Sequence, residues 1–107
     1  MSVVTNVILT GFSLIRGTSI APLQKWMVDR GYGAWLPVHD EAHGDKYLEM
    51  DVLVGAFNYF PTEEFVELVF SIPWDNPETV QLLICEQHEY KFKIYDHDTR
   101  PNRPTSA

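Results

Sequence analysis

The side chains that could do chemistry gather in one polar stretch, Val38-His39-Asp40-Glu41-Ala42-His43-Gly44-Asp45. Imidazole and carboxylate both ligate divalent first-row cations, so His39, His43 and Asp45 form a candidate metal set. Glu41 then becomes the candidate general base of a metal-dependent enzyme. On a helix, two histidines four apart share a face, as in the zinc motif H-E-x-x-H. The chain departs from that motif, because Asp40 stands where its glutamate belongs and Glu41 comes one place late. Pro37 and Gly44 bracket the stretch, which fits a solvated loop between strands better than a long helix. On that simpler reading no cofactor is required. His88 and His97 lie near expected strand ends, and either would add a third imidazole only if the sheet carried it next to His43.

Three other features invite a chemical reading. Cys85 is the single cysteine and sits beside Ile84 in an apolar run, which suits a buried thiol better than a reactive thiolate. The loop Gly11-Phe12-Ser13-Leu14-Ile15-Arg16-Gly17-Thr18-Ser19 leads from a strand to a helix start, where anions often bind. It lacks the lysine and the glycine spacing of a phosphate loop, and Phe12, Leu14 and Ile15 look like packing residues. No serine, histidine and aspartate announce a nucleophilic triad.

The elements that would position these groups follow from hydrophobic periodicity. Val3 to Phe12 is rich in β-branched residues and apolar on both faces, as expected of a central strand. Ile20, Leu23, Trp26 and Met27 have helical spacing, with Ser19 as expected cap, Pro22 in the first turn and Gly31 as the stop. Trp35 to Val38 is a short edge-strand candidate containing Pro37. Tyr47 to Phe60 is the longest alternating stretch. Its even set, Leu48, Met50, Val52, Val54 and Ala56, is expected to face the core, and its odd set, including Glu49, Asp51, Leu53, Phe57 and Tyr59, to be half wet. Pro61-Thr62-Glu63-Glu64 is a helix start with Thr62 as expected cap, and Phe65, Leu68, Val69 and Ile72 continue one helical face until Pro73. Val66, Leu68, Phe70 and Ile72 also alternate, which keeps a strand, and with it a mostly-β meander, as the alternative. Thr79 to Glu86 and Tyr90 to Tyr95 read as two further strands. The order matches an α+β, ferredoxin-like split β-α-β-β-α-β plan, an antiparallel sheet with an added C-terminal strand and helices on one face. Residues 1–95 form the expected single domain and 96–107 a mobile tail.

Charge and composition narrow the function. The chain of 107 residues carries a net charge of −7, and residues 40–89 hold twelve acids against the single base Lys46. Such a field repels phosphate backbones, so nucleic acid is not an expected partner, whereas a basic protein surface is easily accommodated. One cysteine excludes an internal disulfide framework, no run approaches the roughly 18 apolar residues of a membrane span, and the first residues do not resemble an export signal. A soluble cytoplasmic chain is expected.

A sheet with helices on one side leaves its other side uncovered, and large apolar patches rarely stay exposed on a monomer. The leading expectation is therefore a non-catalytic binding protein that forms a homodimer or engages a basic partner through that face. Glu49, Asp51, Leu53, Phe57 and Tyr59, with Trp35 and Tyr95 at the rim, are the expected contact residues. Inhibitors and immunity proteins are often small acidic chains of this kind, an analogy of composition. The alternatives are the metal-dependent enzyme described above and a domain that holds a small apolar molecule between sheet and aromatic side chains.

Overall fold

The β-branched run Val4–Gly11 forms strand β1 in a computed structural model that describes residues 3–15, 19–35, 44–45 and 48–97. Helix α1 spans Ala21–Asp29, with Pro22 in its first turn, where a missing N–H costs nothing. Gly31, at φ +83°, ends it: its N–H donates to the Val28 carbonyl and that of Tyr32 to the Met27 carbonyl, the paired bonds of a glycine C-cap. Strand β2 is Asp51–Asn58, shorter than the expected Tyr47 to Phe60. Helix α2 is Thr62–Ser71, which decides against the strand alternative. Phe65-Val66 and Val69-Phe70, pairs four apart, are the residues it buries, and Glu63 and Glu64 occupy the first turn, where the macrodipole favours them. A single 3-10 turn, Pro77–Thr79, leads into β3, Gln81–Glu86, and a turn joins this to the short β4, Lys93–Tyr95.

Neither expected hydroxyl cap acts as one. Ile20 and Pro61 hold the N-cap positions; Ser19 Oγ donates to the Pro73 carbonyl at 3.2 Å, and Thr62 Oγ1 to Glu86 Oε1 at 2.8 Å. Both hydroxyls tie separate parts of the chain together instead.

The four strands form one antiparallel sheet in the order β2-β1-β3-β4. Every pair among the described strands is antiparallel, as expected, but their order is not the classic ferredoxin one. The expected strand at Trp35 to Val38 lies, apart from Trp35, outside the described residues. The architecture is an α+β domain with a four-stranded antiparallel sheet and two helices.

Both helices pack on the same side of that sheet. Leu23 and Met27 from α1, and Phe65, Val66 and Val69 from α2, share one cluster with Val7, Leu9, Leu53, Leu82 and Ile84 of the strands. Each fully buried large side chain contributes roughly 1.5–3 kcal/mol by leaving water. At one end of this layer Trp26, Tyr32, Trp35, Phe57, Phe60 and Phe65 form an aromatic group, with tight pairs at 4.8 Å between Phe60 and Phe65 and 5.1 Å between Phe57 and Phe60. Arg30 joins the helices across it, its guanidinium 4.6 Å from the Trp26 ring and 2.6 Å from Glu64 Oε2. Asp96 and His97, expected to begin a free tail, are half-buried, and the His97 ring meets Phe70 edge-on at 5.7 Å. No helix among the described residues is long and apolar enough to cross a membrane.

Candidate functional site

The register shows which side chains of each strand face the helices. Thr5, Val7, Leu9 and Gly11 of β1 stand opposite Phe57, Gly55, Leu53 and Asp51 of β2. Directly opposed residues share a face. This is the buried face, and it reverses the expectation for β2: the odd set is dry and the even set is wet. The reason is volume. Leu53 fills the centre of the core, and Phe57 lies over Gly55, whose missing Cβ leaves the room the ring uses; a Cβ there would come within 2.6 Å of it. The even set, Val52, Val54 and Ala56, is as apolar but has nothing long enough to reach the aromatic group.

Most of the expected contact residues are therefore elsewhere. Leu53 is fully buried, and Phe57 and Tyr95 are partly buried against the core. Asp51 is buried on the helix side, its Oδ2 accepting the Ile15 N–H at 3.2 Å. Trp35 is also buried. Its N–H donates to Gln24 Oε1 at 2.8 Å, and Gln24 Nε2 donates back to its carbonyl. Glu49 is exposed but precedes the strand, and Tyr59 is exposed at its end, in left-handed backbone at φ +52°. These residues do not make one surface.

The open face is built from the other half of each strand. Ile8 of β1 stands between Val54 of β2 and Leu83 of β3, and Leu83 opposes Ile94 of β4. One unbroken apolar row thus crosses all four strands. Asn6, Ala56 and Cys85 form the row on one side of it, followed by Val4 and Asn58; Thr10, Val52 and Gln81 form the row on the other. None of these side chains is charged. Val54 is 46% exposed and Ile94 54%, and Phe92, two residues before Ile94, is exposed as well. Cys85 is buried as expected, but it lies on this side of β3, and the helix-side cluster does not include it.

One signal in the sequence pointed to these residues. Val4 and Ile8, like Leu83 and Cys85, make β1 and β3 apolar on both faces, while two short helices have length to cover only one.

The outer edge of β2 is partly closed. Trp35 Nε1 donates to the Val54 carbonyl at 2.9 Å, occupying an acceptor that an added strand would use. At the far end of the sheet, the β3–β4 turn lacks glycine, and His88 and Tyr90 take left-handed backbone at φ +74° and +59°. Gln87 Oε1, accepting the Val4 N–H at 2.8 Å, pins that turn to β1.

Two of the concavities reach the margins of the open face, at Gln81 and at Val54. A cleft of about 600 Å³ is lined by Met50, Pro77, Glu78, Gln81, Asp96 and His97 among others, and a smaller one of about 310 Å³ lies among Met27, Tyr32, Trp35 and Phe57. Among the described residues no group of three His, Cys, Asp or Glu side chains is placed to hold a metal ion. The metal reading depends on His39 and His43, which lie outside the described residues, as does Arg16 of the anion-site reading; Asp45 is exposed. Leu14 of that loop is fully buried and Ile15 packs on the core, whereas Phe12 is exposed.

Among the described residues the fold defines an α+β domain whose helices cover one face of the sheet, while the strand side chains of the other face are uncharged, with an apolar row across their middle. No family model, curated protein or solved structure matches the chain.

Proposed function

We propose that this chain is a non-catalytic binding protein that works through the open face of its sheet. The observation that carries the proposal is the continuous row Val54, Ile8, Leu83 and Ile94, apolar across all four strands and exposed at both edges. An isolated exposed valine has no meaning, but a contiguous patch of this kind on a small domain marks a surface that excludes water on association. The aromatic side chains first expected to form the contact surface instead stiffen the layer behind it, which favours a pre-formed, rigid binding face.

The test is affinity recovery of a tagged chain from extracts of its own cells, comparing wild type with the double variant Val54→Asp, Ile94→Asp. The expected result is that the wild type brings down another copy of itself or a different protein at defined stoichiometry, and that the double variant loses it. Identical associated proteins with both chains would remove the open face from the function.

A further inference from the structure

We infer that the occupant of the open face is a second copy of this chain, seated face to face across a two-fold axis. This inference rests on the proposed role of that face and names its partner. Three observations favour a copy over the basic partner that the acidic composition suggested. First, a basic protein needs carboxylates to meet, and the strand side chains of the face supply none. The nearest acid in β2, Asp51, is buried on the helix side and accepts the Ile15 N–H, and Glu49 precedes the strand.

Second, apart from Glu78 and Asp96, which line a cleft with Gln81 at one end of the face, the acids of the helices and strands lie where they do not oppose self-association. Asp29, Glu63, Glu64 and Glu67 belong to the helices, and Glu86 stands opposite Thr5 on the buried face, where Thr62 of α2 bonds it. Layers pack about 10 Å apart, so the helix acids of two copies joined sheet to sheet are roughly 30 Å from one another. The screening length at physiological ionic strength is about 8 Å, and most of the repulsion between two chains of −7 is lost over that span.

Third, the dimensions and the edges suit face-to-face packing. Four strands about 4.8 Å apart, of eight, eight, six and three residues at about 3.4 Å each, give roughly 400 Å² of projected area. The relief of the side chains adds to this area, and with Phe92 beside the face it suits a pair at the small, weaker end of specific interfaces. Association by adding strand to strand is less favoured. The Trp35 indole holds the Val54 carbonyl at one edge, and β4, at the other, has three residues. A symmetric pair is also the commonest arrangement by which a small chain covers an apolar face.

The experiment is sedimentation velocity of the purified chain from 1 to 100 µM, with Val54→Lys, Ile94→Lys and, on the outer side of α1, the half-exposed control Val28→Lys. Melting curves verify that each variant folds; if a lysine variant does not, Val54→Thr or Ile94→Thr replaces it. The expected result is twice the chain mass for wild type and Val28→Lys, and at least a tenfold weaker association for either face variant. A wild type that stays at single mass up to 100 µM overturns the second copy as occupant. The proposed role of the face then survives only if the double variant still loses a different protein in the extract experiment. A dimer that both face variants leave intact overturns the inference and the role of the face together.

Discussion

Leu53 and Val54 are neighbours in β2 that point to opposite sides of the sheet, and truncating each to alanine measures which side is the core. Leu53 is fully buried among residues of both helices and the central strands. Removing its isobutyl group loses the transfer energy and leaves a cavity that the aromatic group is too rigid to close, so Leu53→Ala is expected to cost about 2–5 kcal/mol. Val54→Ala removes two methyl carbons from a side chain already 46% exposed. At about 0.8 kcal/mol per buried CH₂, and roughly half of each buried, the loss is near 0.8 kcal/mol, with a few tenths more for strand preference. In a domain of this size a loss of 1 kcal/mol lowers Tm by about 4–8 °C, so the two variants should melt on the order of 10 °C apart. Urea unfolding gives the free energies directly, and working at the lowest usable protein concentration keeps self-association out of the comparison. Equal costs, or a larger cost at Val54, would show that the faces of β2 are assigned the wrong way round.

Two further outcomes follow from the edge and the turn. Trp35→Phe keeps most of the buried ring but removes the N–H that holds the Val54 carbonyl; a loss of about 1–2 kcal/mol is expected, with β2 amides exchanging faster while those of β3 keep their protection. Acceleration spread evenly over both strands would contradict the edge role of Trp35. Tyr90 is 83% exposed and held at φ +59°, so Tyr90→Asn, which tolerates that backbone and forfeits little packing, should stabilise by about 0.5–1 kcal/mol. A lower Tm would mean that the tyrosine side chain contributes more than its backbone costs.

Local structure was legible in the chain where a strong short-range signal agreed with burial. Helix α1, the glycine stop at Gly31 and the central place of β1 all had such signals. The helix over 62–71 had a start signal at Pro61 to Glu64, but Val66, Leu68, Phe70 and Ile72 also alternate, so the sequence left helix and strand both open there. The antiparallel sheet was expected, but its strand order was not legible, since which strands lie beside β1 depends on long-range pairing and leaves no trace in periodicity. The faces of β2 were misread for a different reason. Val52, Val54 and Ala56 are no less apolar than Leu53, Gly55 and Phe57, so hydrophobicity alone does not separate the two sets. The choice rests on shape: only the odd set, with Gly55 making room for Phe57, matches the aromatic side chains that the helices bring. An uncovered sheet face was foreseen, but with the wrong half of the strand on it, and with Asp51 taken as a surface charge when it holds the loop after β1.

Hydroxyl-radical footprinting across a concentration series reads the central claim most directly, because it reports water access residue by residue. Oxidation of Ile94, Phe92 and Leu83 is expected to fall as the chain is concentrated from 1 to 100 µM, while Val28 on the outer side of α1 stays constant. Oxidation at Ile94 that does not change with concentration, or protection that appears at Val28 instead, would contradict the account.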